Sequence, residues 1–166
     1  MQLTHYTNIF TPKTFPIIVI CENVTNAPNI GSLFRIADAF GIEKLIFCTQ
    51  VNPLGRKMTK TSRSTEKVVP YEVIQDCLAT IHTYKNKGFN IVALEITNDS
   101  IPIQTAAFSK KTPVILVIGD ENFGISEDVL KLADTTVHIN MYGKNSSMNV
   151  VQATNIALYE MTKQML

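Results

Sequence analysis

Short apolar, β-branched runs alternate along the chain with longer stretches of helical period. Pro16 to Cys21, Lys44 to Cys48, Asn90 to Leu94, Val114 to Ile118 and Thr136 to Ile139 read as strands of a buried, parallel sheet. Between the first two, Ile30, Leu33, Phe34, Ala37 and Phe40 recur at helical spacing, with Asn29 as a possible N-cap and Gly41 as the stop. A second helix carries Ile74, Cys77, Leu78 and Ile81 on one face and ends near Gly88. Ser126 can cap a third, with Glu127 and Asp128 in its first turn. The last helix begins near Ser147, with Ser146 or Ser147 as a simple N-cap. Its stripe of Val150, Val151, Thr154, Ala157, Leu158 and Met161 stays apolar almost to the C-terminus, so it needs a surface to pack on. That surface is either the chain's own sheet or a partner subunit. Gln50 to Pro70 reads as a long loop. The pattern predicts an α/β fold with a largely parallel sheet flanked by helices. It predicts a single domain over residues 1–166, without repeats, and with no room before the first strand for an extra N-terminal domain.

Composition narrows the picture. A chain of 166 residues, 45% hydrophobic and 17% charged, fits one compact domain with a sizeable core. Its longest apolar runs are too short to span a bilayer and its start lacks a secretory pattern, so a soluble, cytoplasmic protein is expected, with no membrane partner. Cys21, Cys48 and Cys77 are odd in number and lack CxxC spacing, which favours buried, reduced thiols. His5, His82 and His138 are scattered, and no metal site is expected. With a net charge of only +1, any nucleic-acid site must arise from local charge.

Four segments could carry chemistry. In Asn29-Ile30-Gly31-Ser32-Leu33-Phe34-Arg35, the arginine falls off the apolar stripe and shares the opposite face with Gly31 and Asp38. It is either a solvated partner of Asp38 or a cation presented beside a strand end, where ligands of open α/β sheets gather. Gly119 to Ser126 has two glycines at phosphate-loop spacing. Ile125 stands where the lysine should, however, and Asp120 with Glu121 would repel a triphosphate. Such a loop suits a ligand with positive charge or several N–H donors, or it simply caps the next helix. In Ile139 to Val150, Asn145, Ser146, Ser147 and Asn149 crowd the junction of two apolar elements, where they should be partly buried and partnered. In the long loop, Arg56, Lys57, Lys60, Arg63 and Lys67 alternate with hydroxyl residues, the best local match to an RNA backbone and otherwise a solvated loop.

Taken in order, NIGSLFRIADAFG, VIGDENFGIS and INMYGKNSSMNVVQATNIALYE resemble the three motifs of the SpoU (TrmH) family of RNA ribose 2′-O-methyltransferases, in the SPOUT class. The likeness runs from about Val19 to Met161. It implies a C-terminal deep trefoil knot, a homodimer, RNA as substrate, either transfer or ribosomal, and S-adenosylmethionine as cofactor. That cofactor carries a sulfonium and an ammonium group, as the acidic second loop suits. The resemblance assigns catalysis to Asn29, Arg35, Glu121, Ser147 and Asn149. It assigns the cofactor to Leu94, Gly119, Ile139 and Ser147, with Met141 and Met148 close by. Beside these, the basic loop read above offers Arg56, Lys57, Lys60 and Arg63 as the RNA contacts. The chain departs from the usual motif at Asn140, where proline is common, and at Val151, where a small polar residue is common. Two rivals stand beside this reading: an RNA-binding module without catalysis, and a nucleotide-binding enzyme without RNA. Methylation of a base is the third possibility within the class.

Overall fold

Strands covered on both faces take the middle of a sheet, and here β1 (Phe15–Glu22) and β6 (Val114–Ile118) do so. The computed structural model describes residues 10–166; His5 lies outside the described residues. The remaining strands are β2 (Ile42–Cys48), β3 (Tyr71–Ile74), β4 (Asn90–Leu94), β5 (Ile101–Pro102) and β7 (Thr135–His138). Their order is β3-β2-β1-β6-β4-β7-β5, and every neighbouring pair is parallel. Side chains alternate across the sheet. Ile17, Val19 and Cys21 point to a core shared with α1 (Ala27–Ala39) and α5 (Val150–Gln164). Ile18 and Ile20 point the other way, to α3 (Cys77–Asn86) and α4 (Glu127–Leu132). No helix among the described residues is long and apolar enough to cross a membrane.

Several expectations are corrected. Asn26, not Asn29, caps α1: its Oδ1 accepts the Asn29 N–H at 3.2 Å, and Pro28 fills the first turn, where its missing N–H costs nothing. Ile74 belongs to β3, pairing with Cys48, and α3 starts only after Asp76, whose Oδ1 accepts from Ala79 N at 2.9 Å. Ser126 stands at the N-cap of α4, but its hydroxyl donates to Glu22 instead of capping. The cap of α5 is Asn149, which accepts from Val151 N at 2.9 Å, so Ser146 and Ser147 stay in the loop. Asn145, Ser146, Ser147 and Asn149 are all exposed rather than partly buried, because the loop runs along the rim of a cleft. Cys21 and Cys48 are buried and Cys77 is half-buried; all three are free.

The largest correction concerns Gln50 to Pro70, which holds helix α2 (Arg56–Ser62) and a 3-10 turn at Thr65–Lys67. Helix α2 is too short to persist alone and is held by docking. Met58 and Ser62 are buried against α1, and Gly31 is the contact point: a Cβ there would lie 2.6 Å from Met58 O and 2.9 Å from Ser62 N. Gly31→Ala is therefore expected to destabilise the protein by about 1–3 kcal/mol through overpacking. Urea denaturation should show a lower midpoint with an unchanged slope; an unshifted midpoint would mean that α2 is not packed as described.

Candidate functional site

Because β6, β4 and β7 are parallel neighbours, their carboxyl ends open on the same edge of the sheet, the usual place for a ligand in an open α/β sheet. The loops that leave them enclose a cleft of about 560 Å³. Leu94, Gly119, Ile139, Met141, Ser147 and Met148, far apart in sequence, all line it.

Two glycines set the shape of the β6–α4 loop. A Cβ on Gly119 would fall 2.2 Å from the Gly124 carbonyl carbon, so the loop closes on itself only because that atom is missing. Gly124 has φ +66°, and its N–H donates to Asp120 O at 2.8 Å. Asp120 Oδ1 also accepts from the N–H groups of Asn122 (2.8 Å) and Phe123 (3.1 Å). The acid at 120 is thus spent on its own turn, as Asx turns do.

Carboxylates from two other strands brace the same loop. Glu95, just past β4, accepts from Ile125 N at 3.1 Å and Ile96 N at 2.9 Å, and it lines the cleft. Glu22, buried at the end of β1, accepts from Ser126 N at 2.9 Å and Ser126 Oγ at 2.7 Å. Neither glutamate was singled out in the sequence. The available signal was position, an acid directly following or ending an apolar strand. His138, also on the cleft wall, joins Ser100 Oγ (2.9 Å) to Asn140 Oδ1 (3.1 Å), tying the loop after β7 to the one before β5.

At the mouth, Asn149 Nδ2 donates to Asn29 Oδ1 at 3.3 Å and to Glu121 Oε1 at 2.5 Å. One amide thereby joins all three sequence motifs while its oxygen caps α5. Asn149→Ser should keep a capping oxygen and lose both amide contacts without adding a charge beside Glu121, and Asn149→Ala should lose cap and contacts together. Thermal unfolding is expected to show the alanine variant less stable than the serine by about 0.5–2 kcal/mol. Equal stability of the two would remove the cap from the account.

Arg35 stands apart from this trio. It is exposed on α1, roughly 9 Å along the axis from Asn29. Among the described residues no acid pairs with it, so the bland ion pair with Asp38 does not form. Among the described residues no lysine or arginine lines the cleft. Arg56, Lys57, Lys60 and Arg63 are all exposed on or just after α2, the helix docked against α1. Cys21 and Cys77 are unsuited to nucleophilic chemistry: burial pushes the Cys21 thiol up, and contact with Cys48 together with burial pushes the Cys77 thiol up. Among the described residues no group of three or more His, Cys, Asp or Glu could hold a metal ion.

Known proteins share this fold. The chain is 31% identical over 163 residues to the tRNA (guanosine(18)-2′-O)-methyltransferase of Aquifex aeolicus, covering 98% of this chain and 76% of that protein. The Escherichia coli K12 enzyme of the same name is 28% identical over 172 residues, covering 99% and 72%. Among solved structures, the A. aeolicus TrmH/SpoU tRNA modifying enzyme superposes with TM-score 0.83 at 30% identity, covering 92% of this chain and 76% of that one. The SpoU methyltransferase AviRb from Streptomyces viridochromogenes, in complex with AdoMet, superposes with TM-score 0.80 at 26% identity, covering 92% and 61%. Residues 16–159 match the SpoU rRNA Methylase family across all three motifs and the cleft they build, and the chain belongs to that family.

Proposed function

We propose that this chain is an S-adenosylmethionine-dependent RNA methyltransferase acting on a ribose 2′-hydroxyl, with transfer RNA as its substrate. The observation that carries the reading is the joining of Asn29, Glu121 and Asn149 by one amide at the mouth of the cleft. Family membership and relatives named as tRNA 2′-O-methyltransferases support it.

The cleft fits the cofactor. Its volume suits a molecule of that size, its walls at Leu94, Ile118, Ile139 and Met141 suit an adenine, and the Glu95 and Glu121 carboxylates suit a cationic ligand. Leu94, Gly119, Ile139, Met141, Ser147 and Met148 would hold it. When bound, S-adenosylmethionine supplies an electrophilic methyl group.

A ribose hydroxyl is a weak nucleophile near neutral pH, so the protein must align it and stabilise negative charge on its oxygen. We assign this purpose to Arg35, whose planar guanidinium would bind the adjoining phosphate and stabilise the developing charge. The Ser147 hydroxyl has no hydrogen-bond partner among the described residues and is available to orient the ribose. Asn29 and Glu121 fix the amide of Asn149, and with it the entry to α5. Arg56, Lys57, Lys60 and Arg63 hold the RNA backbone, which makes binding steeply salt-dependent.

The same reading includes a homodimer in the cytoplasm. A second copy would cover the exposed Ile156, Tyr159 and Leu166 at the C-terminal end. It also includes a trefoil knot. β7 lies between β4 and β5, yet α5 returns to pack against α1, so residues 139–149 cross the carboxyl edge of the sheet beside the β6–α4 loop.

The test is incubation with methyl-labelled S-adenosylmethionine and unmodified transfer RNA, digestion to nucleosides and identification of the labelled product. A 2′-O-methyl nucleoside is expected. A label on a base, or no transfer despite bound cofactor and RNA, would overturn the assignment.

A further inference from the structure

Phe123 and Tyr142 are 91% and 93% exposed, at the tips of the two loops that frame the cleft. Isolated apolar side chains on a surface need no explanation. These two differ because the backbone holds at least one of them outward. Asp120 clamps the N–H groups of Asn122 and Phe123, and Gly124 turns the chain away at φ +66° directly after the ring. Phe123 is itself on the rim of a cleft whose walls include the apolar Leu94, Ile139 and Met141. A loosely tethered phenylalanine would fold onto those walls.

Placement narrows the occupant. Phe123 follows Glu121 by two residues, and Tyr142 comes directly after Met141, which lines the cleft. Asn122, exposed beside Phe123, lines the cleft as well, and the loop that carries Tyr142 also presents Lys144, exposed and without an ion pair among the described residues, and the exposed amide of Asn145. Two flat apolar faces, hydrogen-bonding amides at their sides and an unpaired cation match an unstacked base with its phosphate. They match the core of a subunit interface poorly, because such cores are depleted of charge.

We infer that Phe123 and Tyr142 form a stacking platform for unpaired nucleobases of the RNA, so that the substrate is read as a single-stranded loop with its bases splayed out. The inference rests on the proposed function for the identity of the polymer, but its test does not require methyl transfer.

The probe is a hairpin RNA with 2-aminopurine in its loop, whose fluorescence reports stacking. Phe123→Ala, Tyr142→Ala and Phe123→Leu are compared with the unchanged protein; exposed as the rings are, all should unfold at the same temperature. Each alanine is expected to weaken RNA binding at least about fivefold and to remove its share of the fluorescence change. The leucine variant, apolar but without a π-face, should not restore that change. The slope of log affinity against log salt should stay constant, since no phosphate contact is removed, and S-adenosylmethionine affinity should be unaffected. Unchanged RNA affinity and fluorescence, or no RNA binding by the unchanged protein, overturns the inference. So does a fall in sedimentation mass, which would assign the rings to a second copy, or loss of cofactor affinity, which would make them its cover. A normal fluorescence response with no methyl transfer by the unchanged protein would overturn the enzymatic reading and leave this one standing.

Discussion

Arg35→Ala is expected to lower methyl transfer by about 10²–10³-fold, the usual cost of removing one group aimed at developing charge. The guanidinium is exposed, no acid among the described residues claims it, and it shares α1 with Asn29, which is tied to Glu121 through Asn149. Among the described residues the cleft wall contains no lysine or arginine. The loss should appear in kcat measured at saturating RNA, with cofactor affinity unchanged, because Arg35 does not line the cleft. Arg35→Lys keeps the charge but not the planar fork, and should recover only part of the rate. Both variants should fold, since nothing packs around an exposed side chain. Turnover by Arg35→Ala within a fewfold of the unchanged protein would remove the arginine from the mechanism.

Gly119→Ala should have the opposite signature. Its Cβ would meet the Gly124 carbonyl carbon at 2.2 Å, the Gly124 oxygen at 2.4 Å and Ile125 N at 2.5 Å. All three are backbone atoms, so no rotamer change can relieve the clash and the turn must open. Opening it displaces the Ile125 N–H from Glu95 and the Ser126 N–H from Glu22, leaving the buried Glu22 carboxylate short of a donor. S-adenosylmethionine affinity is expected to fall on the order of 100-fold, equivalent to about 2.7 kcal/mol. Gly143→Ala is the control: a Cβ there meets nothing within 4 Å, so affinity should hold. Calorimetric titration of both variants decides the matter. Tight binding by Gly119→Ala would show that the closed turn is not what shapes the cleft.

Much of this was legible in residue order. The strands β1, β2, β4, β6 and β7 announce themselves because buried parallel strands are short, apolar and β-branched. The cleft residues were reached by resemblance to a family, and the structure brings Leu94, Gly119, Ile139, Met141, Ser147 and Met148 around one cleft. Local pattern failed where local forces are weak. The short edge strands β3 and β5 have little burial to mark them, with Tyr71, Glu72 and Val73 exposed. The cap of α1 was misplaced because Asn26 and Asn29 are equivalent to a reader of sequence; only the Asn26 carboxamide meets the helix N–H.

Sequence alone determined the class of fold, the two-faced burial of the central strands and the chemistry available in the three polar segments, since periodicity and residue type act over a few neighbours. Tertiary structure alone decided what depends on contact between distant segments. Helix α2 exists because Gly31 leaves room for it, far along the chain from the basic residues it presents. Glu22 and Glu95 become braces of the β6–α4 loop only when the strand order sets β1 and β4 on either side of β6. The outward Phe123 and Tyr142 likewise acquire meaning only beside the cleft, because a stacking surface depends on exposure, and exposure is a property of the folded chain.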